Sequence, residues 1–307
     1  MDTAHLKLFV ETARQGSFAA AARSLDIDPA AVTRAVSTLE KTLGLRLLER
    51  TTRRLVLTDA GKIYYEHARK LLQDLQRAAD EARDLAGSPA GVVRVTTSVT
   101  FGHKILLPLL PALREAYPSI EVDVILSDSL MDLVSDRVDV ALRLRQSTDT
   151  SMVGIQLAKI RYHICASPHY LKSQGRPRSP GELVAHNCIR CSVHGHLSPW
   201  KLRDATGVVE EIEVDGWLVV SNSLALHQAA LDHMGPVLLA DWLVKEDLAA
   251  GRLIDLFPDY EATPTDFDNT LWLLYTNRAY VPRRVRVFID FIKQRMRDAA
   301  TTGAGAY

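Results

Sequence analysis

Residues 17–44, "SFAAAARSLDIDPAAVTRAVSTLEKTLG", decide how the first part of this chain is read. Phe18, Ala21, Ala22 and Leu25 recur at helical spacing, and Ser17 stands where an N-cap belongs. The tripeptide "DID" interrupts the pattern. Asp28 then caps a further helix with Pro29 at its first position, where a missing N–H costs nothing. Val32, Val36 and Leu39 form its apolar face, and Leu43-Gly44 closes it. Only about three residues join the two helices, which forces a sharp angle, and small side chains at Ala21 and Ala22 let the axes cross closely.

This is the spacing of a helix-turn-helix. The outward face of the later helix carries Ala30, Thr33, Arg34, Ser37 and Lys41. Small residues permit entry into a major groove, hydroxyls meet base edges or phosphates, and an arginine forks onto guanine or phosphate. Taken alone, the stretch fits a helical hairpin inside a larger core equally well.

Neighbouring residues favour the groove. Upstream, Leu6, Phe9, Val10 and Ala13 mark a preceding helix that Gly16 ends. Downstream, "RTTRRLVLT" (50–58) alternates like a short hairpin, a wing with Arg50, Arg53 and Arg54 at its tip. Between residues 34 and 54, six cations (Arg34, Lys41, Arg46, Arg50, Arg53 and Arg54) face two acids. A basic wing beside a helix-turn-helix suits a phosphate or minor-groove clamp better than a solvated loop.

From Tyr64, the residues Ala68, Leu71, Leu75, Ala78, Ala82 and Leu85 step alternately by four and three, a 3.5-residue period. A coiled-coil seam joining two chains is the direct reading; an amphipathic helix lying on its own domain is the alternative. A paired seam would offer two recognition helices to the half-sites of a palindrome. "AGSPAG" (86–91) then breaks the helix as a hinge.

The 307 residues exceed one compact core, so two or three domains are expected. The formal net charge is zero, yet residues 1–70 hold twelve Lys/Arg against eight Asp/Glu, which points to an anionic partner for that end. No secretory signal or long apolar run occurs, so a cytoplasmic protein without a membrane span is expected. Three cysteines make no disulfide framework.

Residues 92–307 alternate β and α patterns, the mark of an α/β domain. "VVRVTTSV", "IEVDVILSD" and "DVALRLR" read as strands, "FGHKILLPLLPALREAYP" as a helix that its prolines perturb or split, "SLMDLVSD" as a short helix and "EEIEVDGWLVVSN" as a later strand. Ligands of open α/β sheets bind beyond strand carboxyl ends near helix N-termini. That rule nominates Ser98, Val99, Thr100, Ser127, Asp128, Arg143, Arg145, Asn222 and Ser223 for a small-molecule pocket, although such polar residues also serve simply as caps.

"HNCIRCSVHGH" (186–196) invites a metal or thiol reading through Cys188, Cys191, His194 and His196. Cysteines three apart on a strand face opposite sides, so chelation needs a turn. No G-x-S-x-G, P-loop, H-E-x-x-H or G-x-G-x-x-G occurs. No catalytic residue set, cofactor or metal is therefore expected, and an enzyme or a solute-binding protein with a fused helix-turn-helix is the rival reading.

Residues 6–61 closely resemble the DNA-binding domain of LysR-type bacterial transcriptional regulators, through "GSF", "AA" before "L", "AVTR", "LE", "LG", "ER" with its basic wing, and "LTDAG" in register. "LPALREAYPSIEVDVILSD", "DLVSDRVDVALRLR", "CASPHYL" and "GRPRSPGEL" resemble the effector domain, in the branch typified by the meningococcal adhesion regulator. The resemblance implies a winged helix-turn-helix (1–58), a dimerising linker helix and hinge (59–90), and a two-lobed effector domain related to periplasmic binding proteins (91–307). Lobe I would cover about 91–163 and 268–307 and lobe II about 164–267, with crossings near 161–166 and 266–270.

It further implies a sequence-specific regulator of operator DNA, responsive to a small-molecule effector between the lobes and working with RNA polymerase. Members pair through the linker helix and often assemble as dimers of dimers. The DNA-facing set is then Ser17, Asp28, Pro29, Ala30, Thr33, Arg34, Ser37, Arg50, Arg53 and Arg54. The family's pocket positions match Ser98, Thr100, Asp128, Arg145, Trp200 and Asn222, with Val99 and Arg143 beside them, and the arginines suggest a small anionic effector. Two departures stand out: Pro29-Ala30 replaces a common Gln-Pro pair, and "HMGPVLL" replaces "GLGI".

Overall fold

The computed structural model describes residues 2–50, 55–85, 87–129, 138–144, 152–192, 199–276 and 280–301. The chain divides into two compact units, residues 1–87 and 88–307.

In the first unit, helix α1 (Thr3–Gln15) is capped by Asp2 and stops on Gly16, which adopts the left-handed conformation (φ 61°). Helix α2 (Phe18–Leu25) starts at Ser17, whose Oγ accepts from Ala20 N. It ends on Asp26, left-handed at φ 53°, a conformation aspartate tolerates better than most residues. Asp28 caps helix α3 (Pro29–Leu43), accepting from Ala30 N at 3.1 Å. Ala21, Ala22 and Val32 are fully buried together with Leu8 and Phe18 beside them. Two methyl-sized side chains thus set how closely α2 and α3 cross.

Strands β1 (Leu48–Arg50) and β2 (Leu55–Leu57) pair antiparallel with Leu48 opposite Leu57. Helix α4 (Asp59–Leu85) follows without a break, and its Tyr64 and Tyr65 rings flank Phe9 at 5.7 and 6.5 Å. Leu6, Phe9, Val36, Leu39, Leu47 and Leu48 fill the core, each contributing roughly 1.5–3 kcal/mol by burial.

The second unit holds two main sheets. In the first the strand order is Ile120–Leu126, Gly91–Thr97, Val140–Arg143, Thr270–Thr276, Met152–Lys159. The first three are parallel, and Thr270–Thr276 runs antiparallel to both of its neighbours. The second sheet runs antiparallel in the order Val209–Ile212, Trp200–Arg203, Glu261–Thr263, Tyr162–Ala166, Val237–Ala240. Where the chain passes between the sheets, Ile160 N donates to Asn269 O at 2.7 Å.

Two sequence expectations change in detail. The proline-bearing helix is continuous from Val99 to Ala116 and accommodates Pro108 by one π-turn, Gly102–Leu106, with Leu107 N bonded five residues back to Gly102 O. "EEIEVDGWLVVSN" is two strands with different partners, Val209–Ile212 beside Trp200–Arg203 and Val219–Val220 beside Arg190–Cys191, and between them Gly216 lies so close to the chain that a Cβ would meet Cys188 O at 1.9 Å. The helix expected within "SLMDLVSD" lies outside the described residues apart from Ser129.

Candidate functional site

Two separate sites emerge, one in each unit. In the first, α3 buries Val32, Ala35, Val36 and Leu39. That leaves Pro29, Ala30, Arg34, Ser37, Thr38 and Lys41 exposed on its other side, with Thr33 half-buried. Arg34 lies 4.0 Å from Asp28, with both side chains mostly in water, so the pair holds the guanidinium only weakly. Thr33 and Thr38 donate their hydroxyls back to Pro29 O and Arg34 O. Their oxygen lone pairs stay free to accept.

Among the other nominated DNA-facing residues, Ser17 caps α2 and Asp28 caps α3, so each has a structural duty as well. Arg50 ends β1, but its side chain, with Arg53 and Arg54, lies outside the described residues.

The residues that hold the wing were missed as such. Glu40 on α3 reaches across to accept from Leu47 N (2.7 Å) and Leu48 N (3.1 Å). Thr58 Oγ1 donates to Arg46 O and accepts from Gly61 N, capping α4. A Cβ on Gly61 would lie 2.0 Å from Leu47 O, so the helix can start there only with glycine. The motifs "LE" and "LTDAG" therefore encode the joint between recognition helix, wing and linker rather than contacts to DNA.

The second site lies at the carboxyl ends of the parallel strands. Ser98 Oγ caps the following helix at Phe101 N. Asp128 Oδ1 accepts from Val99 N at 3.1 Å, and its Oδ2 accepts from Asn222 Nδ2 at 2.7 Å. Asn222 Oδ1 meanwhile caps helix Ser223–Leu231 through Leu224 N. A cavity of about 110 Å³ opens beside this bridge, with Ser98, Asp128, Arg143 and Phe101 on its wall. Trp242 closes it, set edge-on to Phe101 at 5.6 Å.

Burial pushes Arg143 below its ordinary pKa while the Asp128 charge acts the other way. Thr100 is buried behind the wall, and Arg145 lies outside the described residues.

Trp200 does not join this group. It is buried in the core of the second sheet with Ile164, Leu202 and Val214, and the aromatic walls of the cavity are Phe101 and Trp242 instead. No local pattern announced Trp242, which comes from a helix about a hundred residues further along.

The "HMGPVLL" departure puts His233 in the left-handed region (φ 66°), with its Nδ1 2.9 Å from Ser167 Oγ and its ring stacked on His169 at 4.6 Å.

Cys188 is fully buried, and desolvation pushes its thiol up to about 12, so it is not a thiolate near neutral pH. Cys191 is half-buried, and His194 and His196 lie outside the described residues. Among the described residues no three potential ligands gather to hold a metal, and no helix is long and apolar enough to cross a membrane.

Residues 3–62 match the bacterial regulatory helix-turn-helix protein, lysR family, and residues 86–297 match the LysR substrate binding domain. The chain is 33% identical to the transcriptional regulator DmlR of Escherichia coli K12, covering 94% of this chain and 92% of that protein. It is 34% identical to the regulator CrgA of Neisseria meningitidis, covering 95% and 96%. Among solved structures, CrgA superposes with a TM-score of 0.62 at 32% identity, covering 96% of this chain and 99% of that one. The full-length virulence activator AphB of Vibrio cholerae gives 0.68 at 28%, covering 95% and 98%. The chain belongs to the LysR family: it is a DNA-binding transcriptional regulator with a domain that binds a small-molecule effector.

Proposed function

We propose that this regulator binds operator DNA as a homodimer joined through α4, with α3 in the major groove and the wing on the flanking backbone. The observation that carries this reading is the exposed face of α3, where Ala30, Arg34 and Ser37 stand opposite the buried Val32, Ala35, Val36 and Leu39. Ala30 is small enough to sit deep in a groove, and Arg34 has only a weak partner in Asp28. Exposure of Leu71 and Leu75, at 53% and 51%, supports pairing through α4. Ser17, Asp28, Pro29, Thr33, Arg50, Arg53 and Arg54 complete the DNA contact set. A dimer of dimers, contact with RNA polymerase and a cytoplasmic location follow the family pattern.

The effector occupies the cavity beside Ser98, Val99, Asp128, Arg143 and Asn222. By bearing on the Asp128–Asn222 bridge it changes the angle between the two sheets, and α4 passes that change to the spacing of the recognition helices. The test is footprinting on the DNA flanking the regulator's own gene. The expected pattern is a dyad with half-sites separated by multiples of about 10 base pairs, lost when Leu71→Arg and Leu75→Arg together split the dimer. An undivided footprint that survives both substitutions would reject pairing through α4.

A further inference from the structure

We infer that the cavity takes a compact monocarboxylate with an apolar body, held by its carboxylate on Arg143. This rests on the reading of the cavity as the effector site and names the ligand class that site accepts.

Arg143 is a half-buried cation with hydrogen-bonding capacity to spare. Its guanidinium donates to Thr96 Oγ1 at 3.0 Å and weakly to Leu142 O at 3.5 Å. The group has five N–H donors in a rigid fork, so most of the fork is open. Among the described residues no carboxylate stands within ion-pair distance of it, although Asp128 is near enough to act on its charge. Asp128 is committed elsewhere, one oxygen to Val99 N and the other to Asn222 Nδ2. A partly desolvated guanidinium beside an open cavity calls for an external anion, and its fork matches a carboxylate with two parallel bonds.

The same walls limit that anion to one negative group. Asp128 is the one carboxylate among the described lining residues and stands on the same wall as Arg143, so a second carboxylate on the ligand would be repelled by it. Beside Ser98, Ser127 and Ser129, the wall is made by Phe101, Leu142, Leu144, Trp242 and Leu271 and is mostly apolar, which suits a hydrocarbon body. A cavity of about 110 Å³ keeps that body short.

The experiment is thermal-shift and calorimetric titration of the full-length protein with four probes, each up to about 20 mM, where a true ligand raises stability by mass action. Isobutyrate and benzoate carry one carboxylate, isobutyramide removes the charge, and succinate adds a second carboxylate. The monocarboxylates are expected to raise the melting midpoint saturably, with affinity at least about tenfold above the amide and succinate. Arg143→Gln is expected to abolish that shift, and Arg143→Lys, which keeps the charge without the fork, to keep part of it. Should Arg143→Gln fail to fold, Arg143→Lys and the probe series on the native protein still decide the matter.

Equal binding of acid and amide, tighter binding of succinate, no binding by any probe, or monocarboxylate binding indifferent to Arg143→Lys would each overturn the proposal. If the amide or succinate binds and Asn222→Asp abolishes it, the cavity is the effector site but the ligand class is wrong. If the monocarboxylates bind and neither Arg143→Lys nor Asn222→Asp alters it, the cavity reading itself falls.

Discussion

Asn222 Nδ2 donates to Asp128 Oδ2 at 2.7 Å, and this single bond ties the start of helix Ser223–Leu231 to the end of strand Ile120–Leu126. Asp128 follows a strand of the first sheet, whereas Asn222 follows strand Val219–Val220, which pairs with Arg190–Cys191, so the bond joins segments built on different sheets. Its acceptor is a carboxylate, which places its worth on the order of 1.5–3 kcal/mol.

Asn222→Asp isolates that bond, because aspartate still caps the helix through Leu224 N but sets one carboxylate against another. Two carboxylates at this distance raise the pKa of one of them, and a shared proton replaces the lost bond only at low pH. The melting midpoint of the variant is expected to fall more steeply than that of the native protein as pH rises from about 4 to about 7. Calorimetry across that range checks it; parallel pH profiles for the two proteins would show that the bridge carries no stability.

Glu11 predicts an acid-sensitive helix-turn-helix. It is buried in α1, and burial alone would raise its pKa, but hydrogen bonds from Arg14, Gln15 and Ser24 outweigh that and bring it down to about 2. The Ser24 bond, at 2.7 Å, ties α2 to α1. A carboxylate whose folded pKa lies below its unfolded value stabilises fully above about 4.5 and loses the contribution as pH falls toward about 2. Glu11→Gln is expected to cost on the order of 2–3 kcal/mol at pH 7 and to flatten this acid limb of the stability curve, as followed by circular dichroism.

The wing joint offers a test that separates fold from contact. Gly61→Ala drives a Cβ into Leu47 O and is expected to cost about 3 kcal/mol in denaturant melts, although residue 61 makes no DNA contact in this account. Glu40→Ala leaves Leu47 N and Leu48 N without their acceptor and is expected to cost about 1–3 kcal/mol while weakening DNA binding through the loosened wing. Glu40→Gln restores one acceptor and should recover part of both losses.

Ala22 is 1% exposed where α2 crosses α3, so Ala22→Leu has no space to enter. Overpacking of this kind costs about 1–3 kcal/mol and pushes the helices apart. DNA affinity is expected to fall by more than the loss of stability alone accounts for, as measured by anisotropy at a temperature where the variant is fully folded.

The helix-turn-helix was legible because its signals are local. Gly16, Ser17, Asp28 and Pro29 each set the backbone within one turn of themselves, and each helix they bound keeps its own apolar period. The strands Gly91–Thr97, Ile120–Leu126 and Val140–Arg143 of the first sheet were legible for the same reason, whereas Met152–Lys159 drew no strand reading. Glu40 was not, since its partners lie seven and eight residues away around a turn. Trp200 and Trp242 show the limit most sharply. Nothing local distinguishes a tryptophan in a sheet core from one at a cavity mouth, because that choice depends on which distant strands pack beside it. The break in "EEIEVDGWLVVSN" likewise depends on distant partners, Trp200–Arg203 for its first half and Arg190–Cys191 for its second.

The most direct test of the central claim, that the exposed face of α3 engages DNA, is an anisotropy titration of the full-length protein. The DNA flanking its own gene is compared with scrambled DNA of equal length, over a range of salt, for the native protein and Arg34→Ala. The native protein is expected to prefer its own DNA and to weaken steeply with salt. Arg34→Ala should lower that affinity by about tenfold or more and flatten the salt slope by about one. Equal binding of both DNAs by the native protein, or unchanged affinity and slope in Arg34→Ala, would contradict the account.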